Sequence, residues 1–333
     1  MTTVLEKHYL DFEKPIADLE QKIEDLKHID ASHDVKISDE IKKLQEKKVK
    51  QQENIYSKLT AWQKVQIARH QNRPMGKDYL DALITDFTPL AGDRLYGEDA
   101  AIIGGIGRFN GQTIMIIAQE RGHDVETRLK HNFGMARPEG YRKARRMMQL
   151  ANHYGIPLVN LIDTSGAYPG IDGEARGQAE AIAKSMEEGF KLEVPSITIV
   201  IGEGGSGGAI ALGVANKIMM LENSVYSVIS PEACSSILMR TADKAKQMAE
   251  VLKLTAQDLK ELGIIDEIIP EPLGGAHSNR FETIKNVGEA LRKALTDLNK
   301  LTKQQLEKSR YDKFMAMTRL PTKTEKKAKS SKK

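Results

Sequence analysis

The sequence holds a single cysteine in 333 residues, Cys234. One thiol excludes an internal disulfide and any zinc site built from several thiolates, and most lone thiols are small buried hydrophobes. Aromatic residues make up only 5%, so there is little to stack on nucleic-acid bases. No apolar stretch approaches the roughly 20 residues of a membrane-spanning helix. The first thirty residues are charged throughout and lack the apolar run of a secretory signal, which predicts a cytoplasmic protein with a reduced thiol. Surplus charge is missing too. The formal net charge is +4, but six lysines and one glutamate in Pro321 to Lys333 supply +5, leaving −1 elsewhere. The basic balance belongs to a tail that reads as a solvated end, and nucleic-acid binding by the folded part is not expected.

What is present is a globular composition: 40% AVILMFWYC and 29% charged. Residues 11 to 75 read as amphipathic helices. Ile16, Leu19, Ile23 and Leu26 form one seam at three- and four-residue spacing. After a break at Ala31 to Lys36, Ser38 is expected to cap a second helix carrying Ile41, Leu44, Ile55 and Leu59. Such a pair makes an antiparallel hairpin whose seam must pack on the main domain or on another subunit.

From about residue 100 the pattern becomes α/β. Strands Ala101 to Ile106 and Thr113 to Ala118 flank the hairpin turn Asn110-Gly111. Pro138 suits the first turn of a helix that ends near Gly155. Next come strand Pro157 to Ile162, helix Glu174 to Phe190, strand Ser196 to Ile201 and a short helix from Gly207 to Val214. Lys217 to Leu221, Tyr226 to Ile229 and Ile264 to Ile269 read as strands, and Phe281 to Ser309 as a helix. The expected organisation is a helical region over 1–75, a core over 76–277, C-terminal helices over 278–318 and a lysine-rich disordered tail over 319–333.

Two glycine-rich turns stand out. Ile201-Gly202-Glu203-Gly204-Gly205-Ser206-Gly207-Gly208-Ala209 lies between a strand and a helix, where glycines leave backbone amides unshielded. Asp163-Thr164-Ser165-Gly166-Ala167-Tyr168-Pro169-Gly170 repeats the arrangement after the other central strand. Turns at the carboxyl ends of neighbouring strands face one crevice, where open α/β sheets place ligands. Three chemistries compete. Gly202, Gly204 and Gly207 fit a dinucleotide pattern with Glu222 as ribose acceptor, but far from the first strand. Gly204, Ser206 and Gly208 fit a nucleophile elbow, with Asp266 and His277 following in hydrolase order. The third is enolate formation from a thioester, in which negative charge develops on a carbonyl oxygen and paired backbone amides stabilise it, so that oxyanion holes are needed more than side chains.

Several segments together resemble one family: Asn132-Phe133-Gly134-Met135, Pro138 to Ala144, the two glycine turns, Tyr226 to Glu232, and Ile269 to His277. By these residues the chain is similar to alpha subunits of bacterial acetyl-coenzyme A carboxylase carboxyltransferase, members of the crotonase-like superfamily. The resemblance implies an α/β spiral of ββα units with an N-terminal helical hairpin and a C-terminal helical extension. It implies transfer of a carboxyl group from carboxybiotin on the biotin carboxyl carrier protein to acetyl-CoA, giving malonyl-CoA for fatty acid biosynthesis. The implied assembly is a heterotetramer of two alpha and two beta chains working with biotin carboxylase, the zinc lying in the beta subunit and no metal in this chain. Carried over, the Gly207 and Gly208 amides form one oxyanion hole and those of Gly166 and Ala167 a second, while Gly204, Gly205, Ser206 and Tyr168 contact biotin. The family usually has proline where this chain has Ser165, which alters the rigidity of the second turn.

Smaller features have plainer readings. Arg137, Arg142, Lys143, Arg145 and Arg146 read as a solvated or subunit-contact face, although they could meet phosphates. Glu203 reads as a turn carboxylate in contact with water. His123, His131, His153 and His277 have no metal-ligand spacing.

Overall fold

The computed structural model describes residues 8–29 and 35–317. The lysine-rich tail and part of the expected break at Ala31 to Lys36 lie outside the described residues. Eight strands form one sheet: β1 (Thr85–Pro89), β2 (Ile102–Phe109), β3 (Gln112–Gln119), β4 (Leu158–Thr164), β5 (Ser196–Gly205), β6 (Lys217–Leu221), β7 (Val225–Ser227) and β8 (Glu267–Ile269). Their order is β1-β2-β3-β4-β5-β6-β8, with β7 taking over the edge of β5 beyond β6. The pairs β1/β2 and β2/β3 are antiparallel and the rest are parallel. The β2–β3 turn is the expected Asn110-Gly111, at φ +47° and +80°, the positive dihedrals that let a two-residue turn match strand twist.

The central strands are buried on both faces, and their side chains sort by alternation. Met115, Ile117, Leu158, Ile162, Val200, Ile218 and Met220 join one core, beneath helices Pro138–Tyr154 and Gln178–Phe190. Ile114, Ile116, Val159, Leu161, Ile197, Ile199, Met219 and Leu221 join the other, beneath Gly76–Leu83 and Arg280–Leu298. The central part of the sheet is therefore a filling between two helical layers. Among the described residues no helix is long and apolar enough to cross a membrane.

Several boundaries differ from expectation. Ser38 lies inside helix Val35–Tyr56, because no helix breaker separates it from Val35. Glu174 to Phe190 is two helices, Ile171–Ala175 and Gln178–Phe190, parted by Gly177 at φ +81°. Strand β5 runs past Ile201 to Gly205 because Glu203 to Gly205 pair with β7. The following helix is only Ser206–Ile210. Phe281 to Ser309 divides at Thr302, whose backbone N–H donates to Gln305 Oε1 (2.8 Å) while its Oγ1 accepts from Gln305 N (3.3 Å), so a second helix, Lys303–Met317, starts from a capping box.

The N-terminal hairpin, Lys14–Ile29 against Val35–Tyr56, docks through buried polar groups. Glu13 is 4% exposed and receives the Tyr56 hydroxyl, which also lies 2.9 Å from Gly274 O. His277 Nε2 sits 3.5 Å from Glu13 Oε1, and its ring stacks on His70 at 3.9 Å. His70 Nδ1 accepts Asn72 N–H (3.1 Å), so Nε2 bears the proton and donates to His8 O at 2.9 Å. Burial, then His277, pull the His70 pKa from 6.5 down to about 4. A depressed histidine is protonated in the unfolded chain before the folded one, so its contribution is intact above pH 6.5 and erodes as pH falls towards 4. Comparing melting temperatures of the wild type and His70→Gln over that interval should show a shallower acid slope in the variant; equal slopes would contradict this reading.

Candidate functional site

Strands β4 and β5 lie side by side, with Thr164 opposite Gly204 at their carboxyl ends. The turns that follow are pressed backbone to backbone. A Cβ on Gly205 would lie 2.2 Å from Ser165 O, and one on Gly208 would lie 2.6 Å from the carbonyl carbon of Gly166. No side chain fits either gap, which explains these two glycines more directly than dihedral freedom does. Gln119, the last residue of β3, bridges the turns by donating to Gly208 O (2.8 Å) and accepting from Asp163 N (3.1 Å).

The surface presented outward is small. Ser206 is exposed at φ +51° and opens the helix Ser206–Ile210, whose first amides lack intrahelical partners. Gly207 is half-buried, and a Cβ there would meet only the flexible Ile182 side chain, at 3.2 Å. Gly204 and Gly205 face inward, against Tyr226 and Ser165 respectively, so they shape the turn from beneath. In the second turn the Gly166 amide donates to Thr164 Oγ1 at 3.1 Å, a bond it must release before it can serve a ligand. The Tyr168 amide donates to Ala136 O (3.0 Å), and its ring lies under the Arg137 guanidinium at 4.7 Å.

Beneath the turns lies a lattice of charges that the sequence reading missed. Arg121 Nη1 is 3.3 Å from both Asp163 Oδ1 and Glu203 Oε2. Arg69 donates to Glu203 Oε1 through Nε (3.0 Å) and Nη2 (2.7 Å), and through Nη1 to Glu232 (2.5 Å). Arg73 donates through Nε to Ile201 O (2.6 Å) and pairs with Glu271, whose side chain is fully buried. Burial pushes the Asp163 carboxyl above its usual range, against the pull of Arg121. Burial also opposes ionisation of Glu271, but Arg73 and hydrogen bonds from Asn223 hold its carboxyl below the usual range. The arginines come from segments distant in sequence, and no local pattern marks them.

Glu203 is accordingly not in contact with water: it is 6% exposed and doubly ion-paired, since a strand carboxylate buried under the sheet end requires cations. Three residues of the basic helix face are turned inward instead of being solvated, while Arg145 keeps a 37% exposed side chain. Lys143 is 1% exposed and donates to Ile102 O (2.5 Å), while Arg142 pairs with Asp93 (2.7 Å) and Arg146 donates to Gly92 O (3.0 Å). These side chains fasten the loop before β2. The nucleophile-elbow triad does not assemble. Asp266 accepts Ile218 N–H at the start of β6, the opposite end of the sheet from Ser206, and His277 is committed to His70 and Glu13. The dinucleotide reading fails too, because Glu222 accepts the Glu271 amide (3.2 Å) and the first glycines belong to a strand.

Comparison with known proteins places this geometry in context. The family described as "Acetyl co-enzyme A carboxylase carboxyltransferase-like" matches residues 9–318. A relative from Paramagnetospirillum magneticum, an acetyl-coenzyme A carboxylase carboxyl transferase subunit alpha, is 57% identical over 312 residues, covering 94% of this chain and 98% of its own. One of the same name from Agrobacterium fabrum is 55% identical over 313 residues, covering 94% and 99%. Among solved structures, the transcarboxylase 12S hexamer with methylmalonyl-coenzyme A superposes with TM-score 0.56 at 16% identity, over 71% of this chain and 44% of that one. A Pseudomonas malonate decarboxylase hetero-tetramer with coenzyme A gives TM-score 0.55 at 15% identity, over 71% and 90%. The fold is thus the crotonase-like α/β fold of carboxyltransferases.

The glycine contacts make a paired prediction. Gly205→Ala, whose methyl would strike the backbone oxygen of Ser165, should destabilise the fold by ~1–3 kcal/mol, the usual cost of overpacking a close-packed interior. Gly207→Ala should leave stability within ~1 kcal/mol of wild type, the ordinary cost of alanine for glycine in a helix being small and favourable. Denaturant midpoints of both variants decide this; equal losses would mean that the turns are not in rigid contact.

Proposed function

The chain belongs to the family of acetyl-coenzyme A carboxylase carboxyltransferase alpha subunits, and from that premise we propose how its two glycine turns act. The enzyme is a biotin-dependent carboxyltransferase that converts acetyl-CoA to malonyl-CoA, and this chain supplies part of its active site. The observation that supports this reading is the backbone contact of the turns, which brings two sets of strand-end amides to one surface without bulky side chains between them. A flat ureido ring can approach such a surface closely, and the left-handed Ser206 keeps its side chain at the rim.

Carboxybiotin, delivered on the biotin carboxyl carrier protein, supplies the carboxyl group and, once that is given up, a ureido base for the acetyl proton. The residues of this chain act on oxyanions. The Gly207 and Gly208 amides stabilise one, with the positive end of the short helix behind them, and the Gly166 and Ala167 amides form the second hole once Gly166 leaves Thr164 Oγ1. Gly204, Gly205 and Ser206 set the floor and rim of the biotin pocket, and Tyr168, held by Arg137, forms its wall.

A site made of amides alone binds little of a CoA thioester, so the second half comes from the beta subunit in an assembly of two alpha and two beta chains, with biotin carboxylase as the source of carboxybiotin and the cytoplasm as the compartment. Exposed apolar side chains close to the site in sequence support a partner there: Val228, directly after β7, and Ile237 and Leu238, on helix Pro231–Met239, are 66–75% exposed.

Gly207→Val tests the assignment. The added side chain projects towards Ile182 and over the amides, so assembly with the beta subunit should persist while carboxyl transfer falls by at least roughly 100-fold, the scale of losing one oxyanion donor. Turnover near wild type in an assembled variant would refute it.

A further inference from the structure

The two turns act together only if their relative position is fixed, and hydrogen bonds alone leave two buried carboxylates beneath them. Asp163 is 3% and Glu203 6% exposed. Asp163 directly precedes the last residue of β4, and Glu203 stands two residues before the end of β5. The two side-chain positions are linked by the Glu203 amide, which donates to Asp163 Oδ1 at 3.0 Å. Two carboxylates this close repel unless a cation lies between them.

Among the described residues one cation touches both. We propose that Arg121 is a positioning residue for carboxyl transfer, bridging Asp163 and Glu203 so that the two glycine turns keep the spacing at which their amides act on one pair of substrates. Its placement is built in. Arg121 follows Gln119, which spans the turns, and Glu120, whose carboxylate accepts Lys77 N–H (2.7 Å) and Gly122 N–H (2.9 Å). Gly134, at φ +78°, closes over the arginine: a Cβ there would lie 2.7 Å from Arg121 Cγ and 2.8 Å from Asp163 O. The other arginines have different duties. Arg69 ties Glu203 to Glu232, and Arg73 ties Ile201 to Glu271, so neither bridges the two strand ends.

Both contacts are made by Nη1, whose two N–H bonds diverge within the rigid guanidinium plane and can each address one carboxylate. Removing it leaves the fold its two cores but frees the turns to part, and a displacement of about 1 Å at reacting groups costs roughly 100-fold in rate. The CoA thioester, held chiefly by the other subunit, should be bound almost as before.

The inference rests on the carboxyltransferase reading, so its test carries one readout that does not. Arg121→Met and Arg121→Lys are prepared as complexes with the beta subunit. Hydrogen exchange is followed at the Glu203 amide, bonded to Asp163, and at the Gly166 amide, bonded to Thr164. Steady-state kinetics are measured with malonyl-CoA and biotin. The expected result for Arg121→Met is exchange faster by at least ~10-fold at both amides with the N-terminal hairpin unchanged, kcat lower by roughly 100-fold, and KM within about threefold. Arg121→Lys should recover part of both. Unchanged exchange at the two amides, or a kcat per assembled complex equal to wild type, would overturn the proposal. A wild-type complex without transfer activity would instead defeat the carboxyltransferase reading, while exchange would still decide whether Arg121 braces the turns.

Discussion

Everything distinctive about this molecule depends on two loops approaching until their main chains touch. Gly205 lies against Ser165, and Gly208 against Gly166, at distances that no Cβ tolerates. The parallel pairing of β4 and β5 sets that approach, since Thr164, the last residue of β4, lies opposite Gly204, next to the last of β5. The extra pairing of β5 with β7 carries the strand four residues past its apolar run, from Ile201 to Gly205, which places Ser206 and Gly207 directly after it. The surface at the strand ends is therefore built mainly of backbone, and the charged side chains lie beneath it.

Bringing two strand ends together under a polar site has an electrostatic cost. Asp163, Glu203 and Glu271 are carboxylates taken out of water, and burying such ions uncompensated costs several kcal/mol each. The compensation is local: Arg121, Arg69 and Arg73 each donate to a carboxylate, and Arg73 also to the β5 backbone. Arg69 and Arg73 come from the segment around helix Ala61–Ala68, which explains why an N-terminal region outside the sheet is needed to finish the core. The same logic recurs at the hairpin, where His70, His277, Tyr56 and Glu13 form a buried polar joint.

Much of this was legible in the sequence for identifiable reasons. Short apolar, β-branched runs placed β3 to β6 within a few residues, Asn110-Gly111 fixed one hairpin, and Pro138 with Gly155 bounded one helix. The glycine turns were visible because close approach selects glycine. What was not legible follows equally from physics. The break at Gly177 and the capping box at Thr302 are single-residue decisions inside otherwise helical runs. The state of Glu203 depends on Arg69 and Arg121, which lie 134 and 82 positions away, and local pattern carries no information about such pairs. Arg142, Lys143 and Arg146 of helix Pro138–Tyr154 escaped the solvated reading for the same reason: a charged face is solvated only when no loop folds over it. The motif G-x-S-x-G suggested a serine nucleophile, and only three-dimensional placement shows Asp266 at the far end of the sheet.

The central claim is that this chain holds half of a site, complete only when a beta subunit covers the glycine turns. The most direct measurement is the reverse reaction, malonyl-CoA decarboxylation in the presence of free biotin, run with this chain alone, with the beta chain alone and with the two mixed. The account predicts acetyl-CoA formation only in the mixture. Full activity in either chain alone, or none in a verified complex of the two, would contradict it.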